Sequence, residues 1–169
     1  ELFTQREFIN GDGSGIHQFA TLSGDYNGDN RMDLAFIFQN NNGSGLNIRT
    51  KLSNGDGTYT NVTQVFGDGP GVHQYPTLVG DVNADGKMDL IFVFQNNNGS
   101  GLNIRTKLSN GDGTYTNITQ VMGDGPGVHQ YPTLVGDVNA DGKMDLIFIF
   151  QNNNGSGLNI RTKLSNGDG

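Results

Sequence analysis

The chain has no cysteine and no tryptophan. Without thiols it can form neither a disulfide nor a thiolate-bound zinc centre. No apolar run approaches the roughly 20 residues that a helix needs to cross a bilayer, so no membrane insertion is expected, and no signal peptide is evident. Cations are scarce: 10 Lys and Arg stand against 17 Asp and Glu, for a formal charge of −7. That is the wrong sign for a face that grips nucleic-acid phosphates. Only a third of the residues are hydrophobic, and they come as short β-branched and aromatic runs between abundant glycines. An all-β chain of short strands and tight turns reads this way.

The acidity is concentrated. Nine of the 17 acidic residues fall in three nine-residue stretches, DYNGDNRMD at residues 25–33 and DVNADGKMD at residues 81–89 and 137–145. Oxygen-bearing side chains occupy positions 1, 3, 5 and 9: Asp25, Asn27, Asp29 and Asp33; Asp81, Asn83, Asp85 and Asp89; Asp137, Asn139, Asp141 and Asp145. Odd-numbered spacing lets a loop curl around a hard cation, and the main-chain carbonyl at position 7 (Arg31, Lys87, Lys143) adds a further oxygen. Position 6 is Gly86 or Gly142, which permits a positive-φ bend, and in the first copy Asn30, which tolerates one. The expected cofactor is calcium, one ion per copy and three per chain, which would bring the charge to about −1. Asp, Asn and Gly also make ordinary turns. The threefold retention of the side chains at positions 1, 3, 5 and 9, while Tyr26, Gly28, Asn30 and Arg31 vary at or between them, favours ligation. A helix-loop-helix calcium hand is a poor fit, because position 12 holds Phe36, Phe92 or Phe148 in place of a bidentate glutamate.

A 56-residue period runs through the sequence. Residues 58–113 and 114–169 differ only at Val62/Ile118, Phe66/Met122 and Val93/Ile149, and the first unit, residues 1–57, is looser up to Phe38. Each unit reads as four strands, in the second copy VHQYPTLV (72–79), MDLIFVFQ (88–95) and LNIRTKL (102–108), with TYTNVTQV (58–65) as a polar outer strand. NGDG favours a tight turn, QNNNGSG reads as a connecting loop, and GDGPG bends the chain toward the next unit. Four short strands per repeat make one blade of a β-propeller.

Residues 3–9 align with Tyr59 to Val65 and therefore with an outer strand. Closed propellers have roughly four to eight blades, so three units are expected to close a ring by self-association. Residues 1–9 would complete the last blade of a partner. Two chains giving six blades are preferred over three chains giving nine.

His17, His73 and His129 open the first strand of each unit and are followed by Gln18, Gln74 or Gln130 and then by Phe19, Tyr75 or Tyr131. A structural role has each histidine hydrogen-bonding between blades. A functional one sets the His-Gln-Tyr group in a groove where an aromatic face and amides could hold a sugar. Arg49, Arg105 and Arg161 are expected to cover a blade face or bond between blades. Catalysis has little support, since no serine or cysteine is paired with a histidine base and clustered carboxylates suit ligation better than acid–base work.

GDVNADGKMDLIFVF followed by LSNGDGTY resembles the FG-GAP or VCBS-type repeat, over essentially the whole chain. The resemblance implies an integrin-like propeller with calcium held in the loop by the residues named above. It also implies an extracellular or cell-surface setting and a non-catalytic binding module. The G-x-H pattern before each loop is similar to that of propeller lectins of the Psathyrella velutina type. They often use tryptophan near sugar, and this chain has none. A purely structural, self-assembling repeat scaffold, or an accessory domain of a larger secreted protein, is the alternative.

Overall fold

A computed structural model describes residues 2–39, 45–95, 101–129, 131–152 and 154–169. Two of the QNNNGSG connections, and Gln130, lie wholly or mostly outside these residues. The described residues form three antiparallel sheets in chain order. The first contains β1 (Leu22–Gly24), β2 (Asp33–Gln39), β3 (Leu46–Ser53) and β4 (Tyr59–Val65). The second contains β5 (Leu78–Gly80), β6 (Asp89–Gln95), β7 (Leu102–Ser109) and β8 (Tyr115–Val121). The third contains β9 (Leu134–Gly136), β10 (Asp145–Gln151) and β11 (Leu158–Lys163). Strands neighbour one another in sequence order in each sheet, the meander expected of propeller blades.

One feature of the sequence reading needs correction. The first strand of each unit is only three residues long. In the second unit Pro70–His73 is a 3-10 turn, and Pro76, which has no N–H to give to a ladder, precedes the strand. In the single chain, residues 2–13 form no strand.

The core lies between sheets. Tyr26, Ala35, Ile37, Leu46 and Ile48 of the first sheet and its loop pack against Leu90, Phe92 and Tyr115 of the second sheet. Val82, Ile91, Val93, Leu102 and Ile104 pack in turn against Leu146 and Phe148. Each such side chain fully buried contributes about 1.5–3 kcal/mol. β6 is apolar on both faces because both are covered, as its sequence anticipates. In β7 Leu102, Ile104, Thr106 and Leu108 alternate with Asn103, Arg105 and Lys107, but Asn103 and Lys107 on the polar face are buried too.

The left-handed bends fall where the acidic loops need them, at Asn30 (φ 65°), Gly86 (81°) and Gly142 (85°). A second set was not legible: position 4 is also left-handed, at Gly28, Ala84 (59°) and Ala140 (62°). An L-residue there costs roughly 1–2 kcal/mol, part of which glycine returns as lost chain entropy. Ala84→Gly should therefore raise stability by about 0.5–1 kcal/mol, read as a higher urea midpoint at constant slope. An unchanged or lower midpoint would contradict the strain.

Candidate functional site

Each acidic loop bridges the first two strands of its sheet, and its side chains fall into two groups. The first group organises the loop itself. Asp25 accepts from the N–H groups of Gly28 (2.7 Å), Asp29 (3.1 Å) and Asn30 (2.7 Å). Asp81 and Asp137 do the same from Asp85 and Gly86, and from Asp141 and Gly142. Asn27, Asn83 and Asn139 each accept from the backbone at position 5 and donate to its carboxylate. That carboxylate (Asp29, Asp85, Asp141) also pairs with the side chain at position 7, with Lys87 and Lys143 at 2.8 and 2.7 Å and with Arg31 likewise.

The second group is position 9 alone. Asp33, Asp89 and Asp145 are fully buried. Asp89 accepts from Val82 N (3.0 Å) and Ser109 N (2.8 Å), joining the loop to β7, and Asp33 and Asp145 repeat the arrangement. Burial, with Asp85 and Asp81 beside it, pushes the Asp89 carboxyl up to about 6 against the pull of its two N–H donors. Asp33 is raised for the same reasons.

The donor set suits a hard cation: three carboxylates, one amide oxygen and a carbonyl, with no nitrogen or sulfur. The crowding of negative charge around Asp89 is the observation that calls for one. As the side chains stand, no three acidic or imidazole groups converge as a ready-made site among the described residues. The carboxylates face backbone N–H groups, and the position-7 cation serves as counter-ion to position 5.

The loops also do something that sequence reasoning missed. Met88 N donates to Asp25 O, and Met144 N to Asp81 O, both at 2.8 Å. The hydroxyls of Ser109 and Ser165 donate to the carbonyls of Tyr26 and Val82. The first and second loops are thus each bonded to the following sheet.

Two of the histidines lie on the same seams, and they stack. His73 lies on Phe19 with ring centroids 3.9 Å apart, and His129 on Tyr75 at 3.7 Å, while His17 meets Phe36 edge-on. Burial holds His73 and His129 below the usual histidine range. Gln18 and Gln74 accept from Gln39 N and Gln95 N, tying their turns to the adjacent strand. Tyr131, the third aromatic, is 40 % exposed.

A further repeated group was read only as a bend. Asp12, Asp68 and Asp124, from the G-D-G that precedes each histidine turn, pair with Arg49 and Lys51, Arg105 and Lys107, and Arg161 and Lys163. Each arginine also lies over a phenylalanine, Phe38, Phe94 or Phe150. Asp68 thereby joins the first sheet to the second, because its carbonyl accepts from Leu46 N of β3 while its carboxylate holds Arg105 and Lys107 of β7, the bond between blades that was one expectation for Arg105. The recurrence of GDG at the same phase as the Arg-Thr-Lys strand was the available signal.

A family model described as an FG-GAP-like repeat matches the chain twice, at residues 25–92 and 81–148. No curated protein and no solved structure matches it.

Proposed function

Because the chain belongs to the FG-GAP-like repeat family, we infer that it is a non-catalytic, calcium-stabilised β-propeller module whose ring is completed by a second copy. Repeats of this family usually occur in extracellular or surface proteins, the setting we assign to it. The observation that carries the reading is the buried pair Asp89 and Asp33, each crowded by two further carboxylates in a loop of oxygen donors. Asp25, Asn27, Asp29 and Asp33, with the Arg31 carbonyl, would hold the first ion, and the corresponding residues of the other loops the second and third. A bound cation supplies positive charge among these carboxylates. The chain's own part is to release Arg31, Lys87 or Lys143 from position 5 and to keep position 9 fixed through its two N–H donors. Since the same loops bond the next sheet, fixing a loop fixes a seam.

Saturating calcium is expected to raise the melting temperature. One site filled at a hundred times its dissociation constant adds about 2.7 kcal/mol, or roughly 5–10 °C for a chain of this size. Melting followed by circular dichroism in calcium and in chelator checks this, and identical curves would refute calcium binding.

Carbohydrate is the ligand class for which one seam residue speaks. Tyr131 is 40 % exposed in the single chain, and such a surface stacks on sugar C–H groups. Phe19 and Tyr75 have their ring faces covered by His73 and His129. Ring closure would bring a second copy's His17 to Tyr131 in the same way, so sugar here would compete with closure. A glycan array at millimolar calcium tests it, and loss of any signal on Tyr131→Ala would locate the site. Silence across the array leaves the module a scaffold.

A further inference from the structure

Between the first and second sheets, the ring of Tyr115 fills the seam. Its hydroxyl meets Thr50 Oγ1 at 3.0 Å, and the side-chain amide of Gln64 clasps its backbone, accepting from Tyr115 N (2.7 Å) and donating to Tyr115 O (3.0 Å). One period on, between the second and third sheets, lies a cavity of about 280 Å³ lined by Ile104, Thr106, Gln120, Leu164 and Ser165, among others. Thr106 and Gln120 are the counterparts of Thr50 and Gln64. β11 pairs with β10 alone among the described residues, and Leu158, Ile160 and Leu164 on or beside it are largely exposed.

The residue in phase with Tyr59 and Tyr115 is Phe3, 88 % exposed. Its segment already follows the path of an outer strand that precedes the first sheet. Arg6 packs where a side chain on Gly57 would project, as Val62 does at Gly113 and Ile118 at Gly169. Phe8 lies 5.9 Å from Tyr59, at the position from which Gln64 holds Tyr115. Asp12 pairs with Arg49 and Lys51 as Asp68 does one unit later.

We propose that residues 3–9 of one copy add to β11 of a second copy as its fourth strand, and that Phe3 fills this cavity. The register carried over from β3–β4 and β7–β8 sets Thr4 opposite Leu164, Gln5 opposite Lys163 and Glu7 opposite Arg161. The chemistry matches: Lys51 donates to Asn61 where Gln5 would stand, and Arg49 and Arg105 meet threonines where Glu7 would offer a carboxylate. The contact joins two unlike surfaces head to tail, so copies add until the ring closes. The proposal rests on the reading of the ring as completed by a second copy, and it names the strand and the side chain that complete it.

The chain has no cysteine, so a Thr4→Cys, Leu164→Cys variant of the full chain reports the register directly. Oxidation in calcium should convert most of it to a disulfide-linked assembly of about twice 18.1 kDa. A Gln5→Cys, Leu164→Cys variant, one residue out of register, should cross-link at least several-fold more slowly. Equal rates for the two pairs, or no intermolecular product, would overturn the proposal. Because Phe3 is exposed in the single chain, Phe3→Ala should fold. Its dissociation constant by sedimentation should rise roughly ten- to hundredfold, and an unchanged constant, or a monomeric wild type, would equally overturn it. Melting of Phe3→Ala in calcium and chelator separates the two readings. A preserved calcium shift without register-specific cross-linking sinks the strand exchange alone, and cross-linking without a calcium shift sinks only calcium.

Discussion

Asp68→Ala is expected to cost about 3–5 kcal/mol, the usual penalty for leaving a buried charge without its partner. The Lys107 side chain is 1 % exposed and that of Asp68 5 %. Burial pulls the lysine below its ordinary range, and only Asp68 pulls it back. The ammonium also sits 3.4 Å from the centre of the Phe66 ring, an attraction that holds a cation but cannot neutralise it. The third unit supplies an internal comparison. Asp124 pairs with Lys163, whose side chain is 21 % exposed, so Asp124→Ala should cost only about 1 kcal/mol, near the upper range for solvated pairs. Denaturant midpoints, taken below the concentration at which copies associate, give both values. Asp68→Leu with Lys107→Met should recover most of the loss, because a well-packed apolar pair replaces a buried ionic one at little cost. Equal, small losses for the two aspartates would show that depth does not set the strength of these pairs.

Asp89→Ala and Asp85→Ala should separate folding from metal binding within one loop. Asp89 satisfies two buried N–H groups, and orphaning them costs about 1–3 kcal/mol each. The substitution should therefore destabilise by roughly 2–5 kcal/mol in chelator, toward the lower end because burying the carboxylate is itself unfavourable. Asp85 lies on the surface beside Lys87. Its replacement should change stability in chelator by no more than about 0.5 kcal/mol, yet remove the second loop's share of the calcium-dependent rise in melting temperature. If both variants keep the full rise, the loop is not a cation site. If Asp89→Ala is harmless in chelator, its role in joining the loop to β7 is wrong.

The local features were legible. The period placed the long strands within about a residue, and Asn30, Gly86 and Gly142 adopt the bends their residue types favour. The seams were not legible, because their partners are remote in sequence: Asp68 and Lys107 lie 39 residues apart, Thr50 and Tyr115 lie 65 apart, and Tyr26 and Ser109 lie 83 apart. A histidine followed by glutamine and an aromatic gives no sign that its imidazole will lie flat on the aromatic of the unit before. Ala84 misled in the other direction, since alanine rarely takes the left-handed conformation and only Gly28 at the same position hinted at it.

The Asp25 carbonyl that receives Met88, and the Asp81 carbonyl that receives Met144, have a consequence for modularity. The second unit carries both halves of a joint, an acceptor in Asp81 on its trailing side and a donor in Met88 on its leading side, and the sequence repeats Asp and Met at these positions in the other two. Duplicating or deleting a unit therefore creates a junction of the same chemistry, and no neighbour has to be rewritten.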